Sequence, residues 1–128
     1  MASTTVNTTV TGFVYCMSSK ALNGSSYNVT DPFGIYVVGH CLEDPMEKIK
    51  KMEGMSDIKY TLEFAKKVKN PKRKDENVQT TLDEFDARVI DLDEFDFEID
   101  QELDLYKCPK AQIKQIFNYF VGDWYVQQ

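Results

Sequence analysis

Apolar residues along this chain gather into short runs with two different periods. Gly12-Phe13-Val14-Tyr15-Cys16-Met17 is aromatic and β-branched, and the Ser/Asn/Gly-rich stretch Ser18–Ser26 bounds it, so it predicts a strand. Asp31-Pro32-Phe33-Gly34 is turn chemistry. Ile35-Tyr36-Val37-Val38-Gly39 reads as a second strand, apolar on both faces and therefore central. An antiparallel pair joined by a loop of roughly 15 residues is the economical arrangement for the two. Asp44 before Pro45 suits a helix cap followed by proline at the first helical position. Met46, Ile49 and Met52 then recur at helical spacing with lysines between them, which predicts a helix over 45–53 stopped by Gly54. Residues 58–68 read as a third strand with Ile58, Tyr60, Leu62 and Phe64 on one face, ended by Asn70-Pro71.

Asp75–Phe85 fits a second helix with Val78, Leu82 and Phe85 on its stripe. Phe95, Phe97 and Ile99 alternate with acids, as in a half-exposed strand. A last helix over 109–120 opens at Pro109 and carries Ile113, Ile116, Phe117 and Phe120; Gly122 stops it, and Trp124 and Tyr125 return to the core. The expectation is an α+β fold: a small three-stranded antiparallel sheet flanked by helices. It would form one domain over 12–128, with an N-terminal tail over 1–11 and an acidic, strand-like insertion over about 86–104.

Composition agrees with a globular chain: 128 residues, 42% apolar and 28% charged. No apolar run approaches the roughly 20 residues needed to span a bilayer. Met1–Val10 has neither the basic start nor the apolar stretch of a secretory signal. Cys16, Cys41 and Cys108 are too widely spaced for a zinc site and read as reduced core thiols, which points to an intracellular protein. Asn-X-Ser/Thr triplets at Asn7, Asn23 and Asn28 carry no weight without a signal peptide.

Charge sharpens the picture. The net of −6 hides eleven acids against one base, Arg88, in Asp83–Asp104, and ten bases against four acids in Met46–Lys74. The basic stretch suits phosphate, and the acidic one repels it. Two solvated faces that partly neutralise each other are the simpler account of the same numbers.

The ordered elements carry a resemblance. Gly12-Phe13-Val14-Tyr15-Cys16-Met17-Ser18 at the first strand, then Gly34-Ile35-Tyr36-Val37-Val38-Gly39 followed by Asp44-Pro45 at the second strand and helix, resemble the GIY-YIG endonuclease superfamily. The similar branch is the one common in phages and large DNA viruses. Asn70-Pro71, Thr81-Leu82-Asp83 and Val121-Gly122-Asp123-Trp124-Tyr125 extend the likeness over roughly residues 12 to 125. The resemblance implies a site in which a strand tyrosine helps activate water, a helix arginine stabilises phosphoryl charge, and a glutamate near the last helix holds Mg2+ or Mn2+.

In this chain Tyr15 and Tyr36 stand at the tyrosine places, and sheet packing explains them equally well. Lys48 replaces the arginine, keeping the charge and losing the bidentate fork. Asp83 replaces a helix histidine, and Glu102 or Asp104 aligns with the metal glutamate. His40, the chain's lone histidine, could shuttle a proton or simply sit at the surface.

Three functions follow as expectations. The first is a GIY-YIG-like protein with impaired or lost catalysis, serving a protein partner as a binding or structural component in a virion or in the cytoplasm or nucleus of an infected cell. The second is an active metal-dependent endonuclease that reaches DNA through its basic 46–74 stretch. The third is an acidic nucleic-acid mimic whose Asp83–Asp104 run occupies a basic partner.

Overall fold

The computed structural model describes residues 10–23, 32–55, 58–89 and 103–126. Strand β1, Thr11–Ser18, is the centre of the sheet, because both of its faces are apolar. Phe13, Tyr15 and Met17 point to one side, and Val14 and Cys16 to the other, as the two-residue period of a strand requires. Strand β2, Phe33–Cys41, pairs antiparallel with β1 from Phe13 opposite Cys41 to Ser18 opposite Tyr36. Strand β3, Thr61–Lys69, pairs antiparallel on the other flank of β1.

The α+β class stands, but the sheet has five strands rather than three. Leu105–Pro109 forms β4 against β2, and Gly122–Trp124 forms β5 against β3, giving the order β4-β2-β1-β3-β5. Neither added strand has an apolar alternation long enough to betray it. Each is made by its partner, with Val37 lying opposite Leu105 and Lys67 opposite Asp123.

Helix α1, Lys20–Asn23, follows β1 directly, in a stretch read above as loop. Helix α2, Pro45–Gly54, begins where expected: the Asp44 carboxylate accepts the Met46 N–H at 2.8 Å. Helix α3, Pro71–Glu84, starts four residues before the expected Asp75, because Asn70 at φ 52 turns the chain straight from β3 into it. Helix α4, Lys110–Phe117, is shorter than predicted, since Pro109 belongs to β4.

The helices cover both faces of the sheet. Ile49, Met46 and Met52 of α2 pack with Tyr15, Met17, Ile35 and Val37. Val78 and Leu82 of α3 and Ile113 and Phe117 of α4 pack with Val14, Cys16, Val38 and Tyr106 on the other face. One sequence expectation fails inside β3. Cys16 lies opposite Phe64, whereas Met17 lies opposite Leu62, so Glu63 is an extra residue in the ladder. The bulge sends Leu62 to the α2 face and Phe64 to the α3–α4 face.

The three cysteines are free and buried. The Asn23 side chain is committed to the fold: its Oδ1 accepts the Ile35 N–H at 2.7 Å and its Nδ2 donates to the Ile35 carbonyl at 3.2 Å. Met1, Asn7, Asn28 and Phe95–Ile99 lie outside the described residues, as does most of the acidic insertion. Among the described residues, no helix is long and apolar enough to cross a membrane.

Candidate functional site

The register of β1 on β2 decides how the candidate tyrosines sit. Tyr15 lies opposite Gly39 and faces the α2 layer, while Tyr36 lies opposite Ser18 and faces the α3–α4 layer. The residues of β2 on Tyr15's own face are Ile35, Val37 and Cys41, which alternate with Tyr36 and Val38. Tyr15 and Tyr36 therefore do not converge. Each has a packing role against a glycine. A Cβ at Gly39 would collide with the Tyr15 hydroxyl, and a Cβ at Gly34 would lie 2.7 Å from the Tyr36 hydroxyl. Burial, then the negative character of Cys41, Asp75, Glu43 and Asp104, holds the Tyr15 phenol well above its ordinary pKa. Tyr36 is raised too, by burial first. Neither ring offers a phenolate base near neutral pH.

Lys48 rides on α2, on Tyr15's side of the sheet, near Cys41 and Glu43. The Cys41 thiol is pushed up to about 12, by burial first and Glu43 next, with Lys48 pulling the other way. It donates to the Glu43 carbonyl at 3.2 Å. Glu43 itself is held below the usual carboxylate range by the Lys51 ammonium at 2.6 Å.

The other face carries a connected polar chain. His40 Nδ1 lies 2.7 Å from Asp75 Oδ2. Asp75 accepts Gln79 Nε2 at 2.9 Å through its second oxygen, and the same nitrogen lies 3.0 Å from Asp104 Oδ2. Arg88 closes the chain: Nη1 donates to Asp104 Oδ1 at 2.8 Å, Nη2 to Gln79 Oε1 at 3.1 Å, and Nε to Asp83 Oδ1 at 2.8 Å. The guanidinium lies over the Tyr106 ring at 5.0 Å, and its hydrogen bonds to Asp83 raise its pKa further. Asp75, Gln79 and Asp83 share one face of α3 because they are spaced by four. That spacing is the signal by which the sequence could have shown them; Arg88, the sole base of the acidic run, was the other. Sequence reading found His40 and Asp104 and missed Asp75 and Gln79.

The carboxylate expected to hold a metal is thus otherwise engaged. Both Asp104 oxygens accept hydrogen bonds, one from an arginine. Glu102 lies outside the described residues. Among the described residues, no three of His, Cys, Asp and Glu gather as metal ligands. Asp104, engaged in this way, does not fit the place of the Mg2+ or Mn2+ ligand that the resemblance implies.

The basic 46–74 stretch is divided by the fold. Lys48, Lys50 and Lys51 lie on α2, Lys66 is buried, and Lys67, Lys69, Lys72, Arg73 and Lys74 gather where β3 turns into α3. Searches of protein-family models, curated proteins and solved structures find no match to the chain.

Proposed function

We propose that this protein is a GIY-YIG-like domain whose catalysis is lost and which acts as a binding or structural component for a protein partner. The observation that carries this reading is the opposite facing of Tyr15 and Tyr36, which keeps the two tyrosine places of the resemblance from serving one site together. Three further features support it. Tyr15 is packed on Gly39 and held protonated, Lys48 lacks the bidentate geometry of arginine, and Asp104 is spent on Arg88 and Gln79. The His40–Asp75 pair orients an imidazole where the end of β2 meets α3.

The test is a plasmid-nicking assay with Mg2+ and with Mn2+. Intact supercoiled DNA is the expected result. Cleavage that Tyr15→Phe or Lys48→Ala abolishes would establish the endonuclease reading instead, because contaminating nucleases ignore such substitutions.

A further inference from the structure

We propose that the corner between β3 and α3 is a binding site for single-stranded nucleic acid, separate from the Tyr15 and His40 regions and independent of the lost-catalysis reading. Five cations lie within eight residues of chain at this corner, and three of them, Lys67, Lys69 and Lys74, line one groove. Lys67 and Lys69 flank the core-facing Val68 at the end of β3, and Lys72, Arg73 and Lys74 follow in the first turns of α3. All but the half-buried Lys74 are exposed, and none forms an ion pair with another described residue. The other described lysine pairs show that carboxylates are available to this chain; Lys51 and Lys110 both have one.

The placement runs against the helix. The first turn of α3 has no acid, and its N-cap residue Asn70 makes no side-chain cap bond. Cations at the positive end of a helix dipole are locally unfavourable by a few tenths to about 1 kcal/mol each. An external anion relieves the mutual repulsion of these charges.

A groove of about 700 Å3 adjoins this corner, lined by Lys67, Lys69, Lys74, Asn77 and the segment from Tyr119 to Asp123. Tyr119 is 81% exposed, so its ring is spent on no core contact. Cations beside an exposed aromatic ring are what a single strand uses: phosphates take the charge and an unpaired base takes the ring. An acidic peptide would use the lysines and leave Tyr119 idle; a duplex would keep its bases away from it. Asp123, opposite Lys67 in the ladder, is the acid that lines the groove.

Fluorescence anisotropy with a labelled oligothymidylate of about 20 nucleotides tests this. The wild-type chain should bind, and the affinity should fall steeply between about 50 and 200 mM salt. Lys72→Glu with Lys74→Glu should weaken binding by at least about 10-fold and flatten the salt slope by more than one, through two fewer phosphate contacts at roughly 0.7 each. Lys20→Glu with Lys59→Glu makes the same change in net charge elsewhere and should have a much smaller effect. Tyr119→Ala should weaken the single strand by about 5-fold or more and leave a duplex unchanged. The proposal is overturned by any of three results: no binding at low salt, equal losses from the two charge-reversal pairs, or a polyglutamate that competes as well as the oligonucleotide with Tyr119→Ala without effect.

Discussion

Lys66 is a buried lysine without a carboxylate among the described residues, and removing its charge should loosen the C-terminal end of the fold. It is 5% exposed. Its ammonium donates to the Phe117 carbonyl at 3.0 Å and to the Phe120 carbonyl at 2.7 Å, and lies 4.9 Å from the Trp124 ring centre. The two carbonyls belong to the last turn of α4 and the turn after it, where regular helical bonds run out; the Phe117 carbonyl keeps one backbone bond, from the Phe120 N–H at 3.1 Å. Hydrogen bonds from a charged donor contribute about 1.5–3 kcal/mol each, and a cation at a partly buried helix end up to about 2 kcal/mol.

Against that stands the cost of burying an ammonium, several kcal/mol. Lys66→Met keeps most of the stem, removes that cost, leaves the Phe120 carbonyl without the ammonium, and leaves the Phe117 carbonyl with only the Phe120 N–H at 3.1 Å. The net is a loss of about 2 kcal/mol, or roughly 6–12 °C in Tm for a chain of this length. Urea unfolding followed by the fluorescence of Trp124, the chain's single tryptophan, reads it directly, since that ring stacks on Phe117 at 6.4 Å. A Lys66→Met protein as stable as the parent, or more so, would refute the reasoning. It would mean that desolvation of the ammonium outweighs its two carbonyl contacts.

Other outcomes follow from the same structure. Asp75→Asn should cost about 1–2 kcal/mol, and a double-mutant cycle with His40→Gln should return a coupling above about 0.5 kcal/mol; additive effects would show the pair to be incidental. Asn23→Ala should cost about 1–2 kcal/mol and speed amide exchange at Ile35, whose N–H and carbonyl it holds; unchanged exchange would discard that role. Stability should fall above about pH 9. Cys41 is raised from 9.0 to about 12 and Cys108 to about 11, both chiefly by burial. A raised folded-state pKa gives stability that is complete below the unfolded value and is lost as pH climbs through the folded one, at about 1.4 kcal/mol per pH unit per thiol. Denaturation midpoints between about pH 8 and pH 11 measure this, and midpoints that rise with pH would contradict the burial of both thiols.

Much of the fold is legible in local pattern. The two-residue alternation of Phe13-Val14-Tyr15-Cys16-Met17 gives a strand apolar on both sides, and that strand is the centre of the sheet. Asp44-Pro45 followed by Met46, Ile49 and Met52 gives a capped helix with one buried stripe. These signals need only neighbours within a turn or a pleat, so sequence suffices.

Side-chain facing depends on more. Tyr15 and Tyr36 look equivalent as letters on two strands, yet the register sets them on opposite faces, because each one-residue step along a strand reverses the side. The bulge at Glu63 does the same to Leu62 and Phe64. Leu105–Pro109 and Gly122–Trp124 become strands only when β2 and β3 offer their edges. Asp104 reads as a candidate metal ligand and Lys66 as one lysine of a basic stretch, and the fold gives one to Arg88 and the other to the end of α4. The sequence by itself determined the central strands β1, β2 and β3, the helices α2, α3 and α4, and which stripes seek the core. The tertiary structure alone decided which face each polar group took and what it met there, since buried donors and acceptors are satisfied by residues far away in the chain.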